Sequence, residues 1–99
     1  MVKHIVMWNI QGGPDEAKAV AIDRVKAGFE ALRGKIPGLL HIEIGVDRSG
    51  VDYACDVVLY SEFDNADSLA AYATHPAHTR ARQAVEGLRI ARHQVDYTV

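Results

Sequence analysis

The sequence predicts an α+β domain in which the elements run β-α-β-β-α-β, and three observations carry that reading. Four segments, residues 3–10, 39–46, 53–63 and 90–98, have the apolar and β-branched runs of strands. Between the first two, apolar residues recur at helical spacing. Between the last two, a capping signature is followed by a second start signal, a proline.

The first strand is the run Ile5-Val6-Met7-Trp8, broken by Gly12-Gly13-Pro14. Asp15 and Glu16 place negative charge in the first turn of a helix, where the dipole favours it. Ala17, Val20, Ala21, Val25, Phe29 and Leu32 form its buried face, and Gly34 ends it. Pro37-Gly38 turns the chain into a second strand, where Leu40, Ile42, Ile44 and Val46 alternate with His41, Glu43 and Gly45. Arg48-Ser49-Gly50 makes a hairpin-type turn into the third strand. Asp64, with Asp67 three residues on, is read as capping a short helix. Pro76 opens the next helix, which runs to about Gly87. This order is the ferredoxin-like split βαβ arrangement, and at 99 residues it makes one domain, residues 1–99.

The strands also predict an association. Helices cover one face of such a sheet, and the other should alternate polar residues if it meets water. Here Val6 and Trp8 oppose Ile5 and Met7, and Val57 and Leu59 oppose Val58 and Tyr60, so both faces are apolar. Packing the bare face against a second copy removes it from water, which predicts a two-fold homodimer.

Composition narrows the function. A net charge of −2 argues against general nucleic-acid binding, and Arg80, Arg82, Arg89 and Arg92 read as a solvated helix face. No segment has the roughly 20 apolar residues of a membrane span. The first ten residues lack a signal-peptide core, and Cys55 is the single cysteine, so a cytoplasmic location is expected. Cys55 is read as strand packing, and Asp56 in the same strand asks for a partner such as Arg92. His41 and His93 read as strand-face residues. No cofactor is indicated, and no metal site: the chain has no HExxH, no cysteine pair and no EF-hand loop.

The densest chemistry lies in residues 72–78, Tyr-Ala-Thr-His-Pro-Ala-His. Pro76 suits the first helical position, and His75 before it is pushed toward extended geometry, so His75 is expected to cap the helix. His78 then faces the unpaired N–H groups of the first turn, whose field disfavours imidazolium. A neutral His78 is a proton acceptor at working pH.

These stretches together resemble the Dabb family, the stress-responsive dimeric α/β barrel domains. The likeness is carried by Lys3-His4-Ile5-Val6 and by Ile36-Pro37-Gly38-Leu39, continuing to Ile42-Glu43-Ile44-Gly45. Asp56 with Leu59, Ser61 and Phe63 adds to it, as does Tyr72 with His75-Pro76-Ala77-His78. The resemblance implies a homodimer whose sheets face each other and a pocket between sheet and helices. One branch, the olivetolic acid cyclase type, closes a linear polyketide by aldol condensation in that pocket, and its tyrosine and histidines match Tyr72, His78 and His4. Where that branch has a pocket tyrosine on the first helix, this chain has Phe29, without a hydroxyl. Some members of the family hold a cation through backbone carbonyls near the Pro-turn, here Pro37.

Two readings follow. In the first, the protein binds or cyclises a hydrophobic carbonyl compound, as a lyase would. His78 is then the general base, with Tyr72 and His4 beside it, and Trp8, Phe29, Phe63 and His75 contact substrate. In the second, it is a non-catalytic stress-response protein whose histidines are structural. A pocket open to Tyr72 and His78 favours the first, and one plugged by Trp8, Phe29 and Phe63 favours the second.

Overall fold

Strand β1, Val2–Ile10, alternates buried and part-exposed residues along its length, because it lies at the centre of a sheet with one covered face. The computed structural model that shows this describes residues 1–12 and 17–99. The remaining elements are α1 (Lys18–Glu30), β2 (Leu39–Val46), β3 (Val57–Phe63), α2 (Ala66–Thr74), α3 (Pro76–Ala84) and β4 (Arg89–Thr98). The sheet is antiparallel in the order β2-β3-β1-β4, the ferredoxin-like arrangement. The helix start expected at Asp15 and Glu16 lies outside the described residues.

Several boundaries differ from expectation. Helix α1 ends at Glu30 rather than near Gly34, because the chain tightens into three-residue hydrogen bonds, Leu32 N–H to Phe29 and Arg33 N–H to Glu30. In β2 a register shift between Leu39 and His41 turns Leu40 out to solvent, while Ile42 and Ile44 stay buried. β3 begins at Val57, not Tyr53. The hairpin loop is correspondingly longer, held where Asp47 accepts from Ser49 and from the Gly50 N–H, and Tyr53 is 91% exposed. Cys55 therefore sits half-buried in that loop as a free thiol, not in the strand. Asn65 rather than Asp64 caps α2, its side chain accepting from Ser68 N–H at 2.9 Å. The glycine of the Pro37-Gly38 turn is obligatory: at φ +80° a Cβ there would lie 2.2 Å from the Ser68 hydroxyl.

The core lies between one sheet face and the helices. Val6, Trp8, Ile42, Ile44, Leu59 and Phe63 from the strands meet Ala21, Val25 and Phe29 of α1, Tyr72 of α2 and Ala77 and Ala81 of α3. The opposite face carries Ile5, Met7, Val58, Tyr60, Val95 and Tyr97, which are exposed or half-buried in the protomer. His41 and His93 are on that face by register, and His41 Nε2 bonds Glu43 at 2.7 Å.

Asp56 finds a different partner from the arginine expected. Its carboxylate accepts from the Ile10 N–H at 2.7 Å and pairs with Lys18 at 3.0 Å, tying the end of β1 to the start of α1. Arg92 is on β4 beside β1, where it donates to Gln94. No described helix is long and apolar enough to cross a membrane.

Candidate functional site

The break between α2 and α3 builds the site. His75 is extended at φ −65° and ψ 136°, its N–H donates to the Tyr72 carbonyl at 3.1 Å, and its Nδ1 accepts from Ala77 N–H at 3.0 Å. It closes one helix and caps the next, with Pro76 at the first helical position. The bend brings the last turn of α2 against the first turn of α3. The Tyr72 and His78 rings consequently lie 4.1 Å apart, centre to centre, at 38°.

Hydrogen bonding defines the state of His78. Its Nδ1 is 3.2 Å from the Ala73 carbonyl, which can only accept, so the proton is on Nδ1 and Nε2 keeps a lone pair. Burial, foremost, holds its pKa below the ordinary histidine value. Arg82, Arg89 and His4 add to this by repulsion, and the Ala73 bond opposes it. The direction agrees with the field expected at the helix start, but desolvation is its largest cause. Tyr72 moves the other way: burial pushes its phenol up to about 12, against the pull of Arg89, Arg92 and Arg82. The phenol therefore stays protonated.

His4 reaches the same place from β1. Cross-strand register sets it opposite Asp96 of β4, and its Nδ1 is 2.5 Å from the Asp96 carboxylate. The acceptor again holds the proton on Nδ1. Ser61, fully buried, donates to the His4 carbonyl at 3.0 Å, and the His4 and Tyr72 ring centres are 6.1 Å apart.

These three side chains open on a cavity of about 550 Å³ between sheet and helices, walled by Val6, Leu59 and Leu69 among others. Trp8 and Phe29 line it as a stacked pair with centres 5.4 Å apart, so they form its wall and do not plug it. The Tyr72 hydroxyl has no hydrogen-bond partner among the described residues. No described buried side-chain N or O atom lacks one, so this hydroxyl reaches open surface, and the surface that Tyr72 lines is the cavity.

Two residues expected at the substrate lie elsewhere. Phe63 is fully buried in the core with its ring 5.1 Å from Tyr72, and His75 is turned back to its helix cap; neither lines the cavity. The arginines also need correction. Arg80 and Arg82 are exposed on α3 as expected, though Arg82 also borders the cavity, whereas Arg89 and Arg92 are on β4 and line the cavity rather than a helix face. Asp96 was missed altogether, and Arg89 was read only as one of that arginine cluster. The alternation of Arg92, Gln94 and Asp96 places those three on one strand face, but their cross-strand partners have no local signal. Among the described residues no three His, Cys, Asp or Glu side chains gather as a metal site.

A ferredoxin-like sheet whose helix-covered face encloses a cavity with two imidazoles and a phenol defines a small α+β pocket protein. The chain belongs to the stress responsive A/B barrel domain family, whose pattern matches residues 2–99. An uncharacterized protein of Streptomyces coelicolor is 33% identical over 78 residues, 79% of each chain. A dimeric protein of unknown function with a ferredoxin-like fold from Bacteroides fragilis superposes with a TM-score of 0.85. It is 37% identical, over 99% of this chain and 95% of that one. A dimeric ferredoxin-like protein from Thermobifida fusca shares the fold at TM-score 0.83 and 21% identity, over 99% and 90% of the two chains.

Proposed function

We propose that the protein is a homodimer that binds a hydrophobic carbonyl compound in each cavity and moves a proton alpha to the carbonyl, with His78 as general base. The observation that carries this reading is the pairing of a neutral imidazole with a protonated, unpartnered phenol on one cavity, beside the apolar wall of Val6, Trp8, Phe29 and Leu59. His78 Nε2 is an acceptor for the carbon acid's proton, and the Tyr72 O–H is a donor for the enolate oxygen that forms. Both keep those roles near neutral pH, because burial lowers one pKa and raises the other. His4, held by Asp96, offers a second oriented Nε2 that positions the substrate's polar end.

An enolate so formed can attack a second carbonyl, the step of a polyketide cyclase. The open cavity favours a ligand site over purely structural histidines. Dimerisation is supported by the exposed apolar face of Met7, Val95 and Tyr97 and by the dimeric relative from Bacteroides fragilis.

The test is proton exchange. Deuterium incorporation alpha to the carbonyl of 2-octanone, followed by NMR in heavy water, should run faster with protein than in buffer. His78→Gln should lower the protein-dependent rate by about 10²- to 10⁴-fold while the circular dichroism spectrum stays unchanged. Exchange at the buffer rate, or a fully active His78→Gln, would show that His78 is not a general base toward such a carbonyl.

A further inference from the structure

We propose that the cavity takes a ligand with an apolar body and a carboxylate, and that the Arg89 guanidinium receives the carboxylate. This deepens the functional reading above and rests on the cavity being a ligand site.

Arg89 is placed as an anion receptor is. Its guanidinium carbon lies 5.0 Å from the centre of the Trp8 ring and 5.4 Å from that of Phe29, on the cavity wall. Contact with aromatic faces desolvates the group while leaving its in-plane N–H donors unused. Among the described residues it has no carboxylate partner and no hydrogen bond. A half-buried guanidinium without an acceptor is unfavourable, and a planar carboxylate matches two of its donors at once.

The backbone is bent to put it there. β1 and β4 pair Trp8 with Arg92, then shift register, so that Asn9 faces Ile90 and Ile10 faces Arg89. Ala91 is the extra residue, at φ 50°, a left-handed conformation that alanine rarely adopts. In a regular strand, residues 89 and 92 would point to opposite faces. The bulge places both on the helix-covered face, and Ala91 itself is on the cavity rim. A strained residue is thus retained at the position that aims Arg89 inward.

The surrounding charge agrees. Arg82, Arg89 and Arg92 share the wall with two carboxylates, Glu86 and Asp96, and Asp96 is engaged by His4. The guanidiniums repel one another, and an incoming anion relieves this. Phe29 neighbours both groups, its ring centre 5.4 Å from the Arg89 guanidinium carbon and 6.4 Å from the His78 ring centre. A ligand anchored on Arg89 therefore lays its apolar body over Phe29 toward the proposed base.

Octanoate and octanamide, alike in shape and different in charge, test this. Trp8 is the chain's single tryptophan and lines the cavity, so its fluorescence reports occupancy directly, with titration calorimetry as the second measure. Octanoate should bind about tenfold to a hundredfold tighter than octanamide, the range for a charge-assisted hydrogen-bonded pair. Arg89→Gln should remove that preference, octanoate losing far more affinity than octanamide, so that the two probes bind about equally. If Arg89→Gln does not fold, Arg89→Lys keeps the charge but loses the fork, and the preference should fall several-fold. Equal binding of the two probes by the wild type overturns the carboxylate assignment and leaves the cavity as a ligand site. A preference that survives the Arg89 substitution overturns the assignment to Arg89. If neither probe binds and Trp8 emission is unmoved, both the assignment and the ligand-site reading fall.

Discussion

Replacing Asp56 by alanine isolates one contact that joins three elements. The carboxylate accepts from the Ile10 N–H at 2.7 Å, and Ile10 is 2% exposed, so truncation takes the acceptor from a donor in a buried residue. A buried donor left unpaired costs about 1–3 kcal/mol. The Lys18 pair adds about 0–1 kcal/mol, because Lys18 is more than half exposed and its charge is screened. Asp56→Ala should therefore destabilise the fold by about 1–4 kcal/mol and lower Tm by roughly 4 °C or more for a chain this size. Urea denaturation at fixed protein concentration measures it, since a dimer's stability depends on concentration. Two controls separate the causes. Asp56→Asn keeps an oxygen acceptor and should lose less than half as much, and Lys18→Ala should stay under about 1 kcal/mol. A loss below about 0.5 kcal/mol in Asp56→Ala would refute the reasoning, as would equal losses in the alanine and asparagine variants.

The depressed pKa of His78 makes folding depend on pH. Its stabilisation is complete above the unfolded value of 6.5 and is lost as pH falls through the lower folded value, because the unfolded chain binds the proton more readily. His78→Gln should flatten the urea midpoint between neutral and mildly acidic pH, and an unchanged slope would count against burial as the cause. Ala91→Gly should relieve the left-handed residue in β4 and raise stability by up to about 1 kcal/mol, read from the same denaturation curves; a loss would show that φ 50° carries no strain. Val95→Glu, on the uncovered sheet face and 58% exposed in the protomer, should shift native mass spectra from dimer to monomer with the circular dichroism spectrum retained. A persistent dimer would place the interface elsewhere.

Much of the fold was legible because its signals are local. Apolar and β-branched runs, alternating in the second strand, and the helical spacing from Ala21 to Phe29 locate four strands and the first helix from neighbouring residues alone. The His75-Pro76 pair announces a helix start through its own backbone restrictions, and the structure finds the cap there. Boundaries were less legible where geometry beyond the neighbouring residues intervened. The tight turn after Glu30 and the bulge at Leu40 depend on how α1 and β3 pack, and the hairpin loop claims residues whose composition looks like strand.

By itself, the sequence determined the element order, the two apolar sheet faces and the Tyr72–His78 segment, since each rests on residues only a few positions apart. Tertiary structure alone decided which side chains meet in the cavity. His4 and Asp96 are 92 residues apart and become partners only when β1 and β4 pair. Phe63 and His75 look like site residues by composition and are withdrawn by packing and capping. Arg89 enters because one extra residue in β4 reverses the strand's alternation, and a single-residue shift of register turns a side chain from one sheet face to the other.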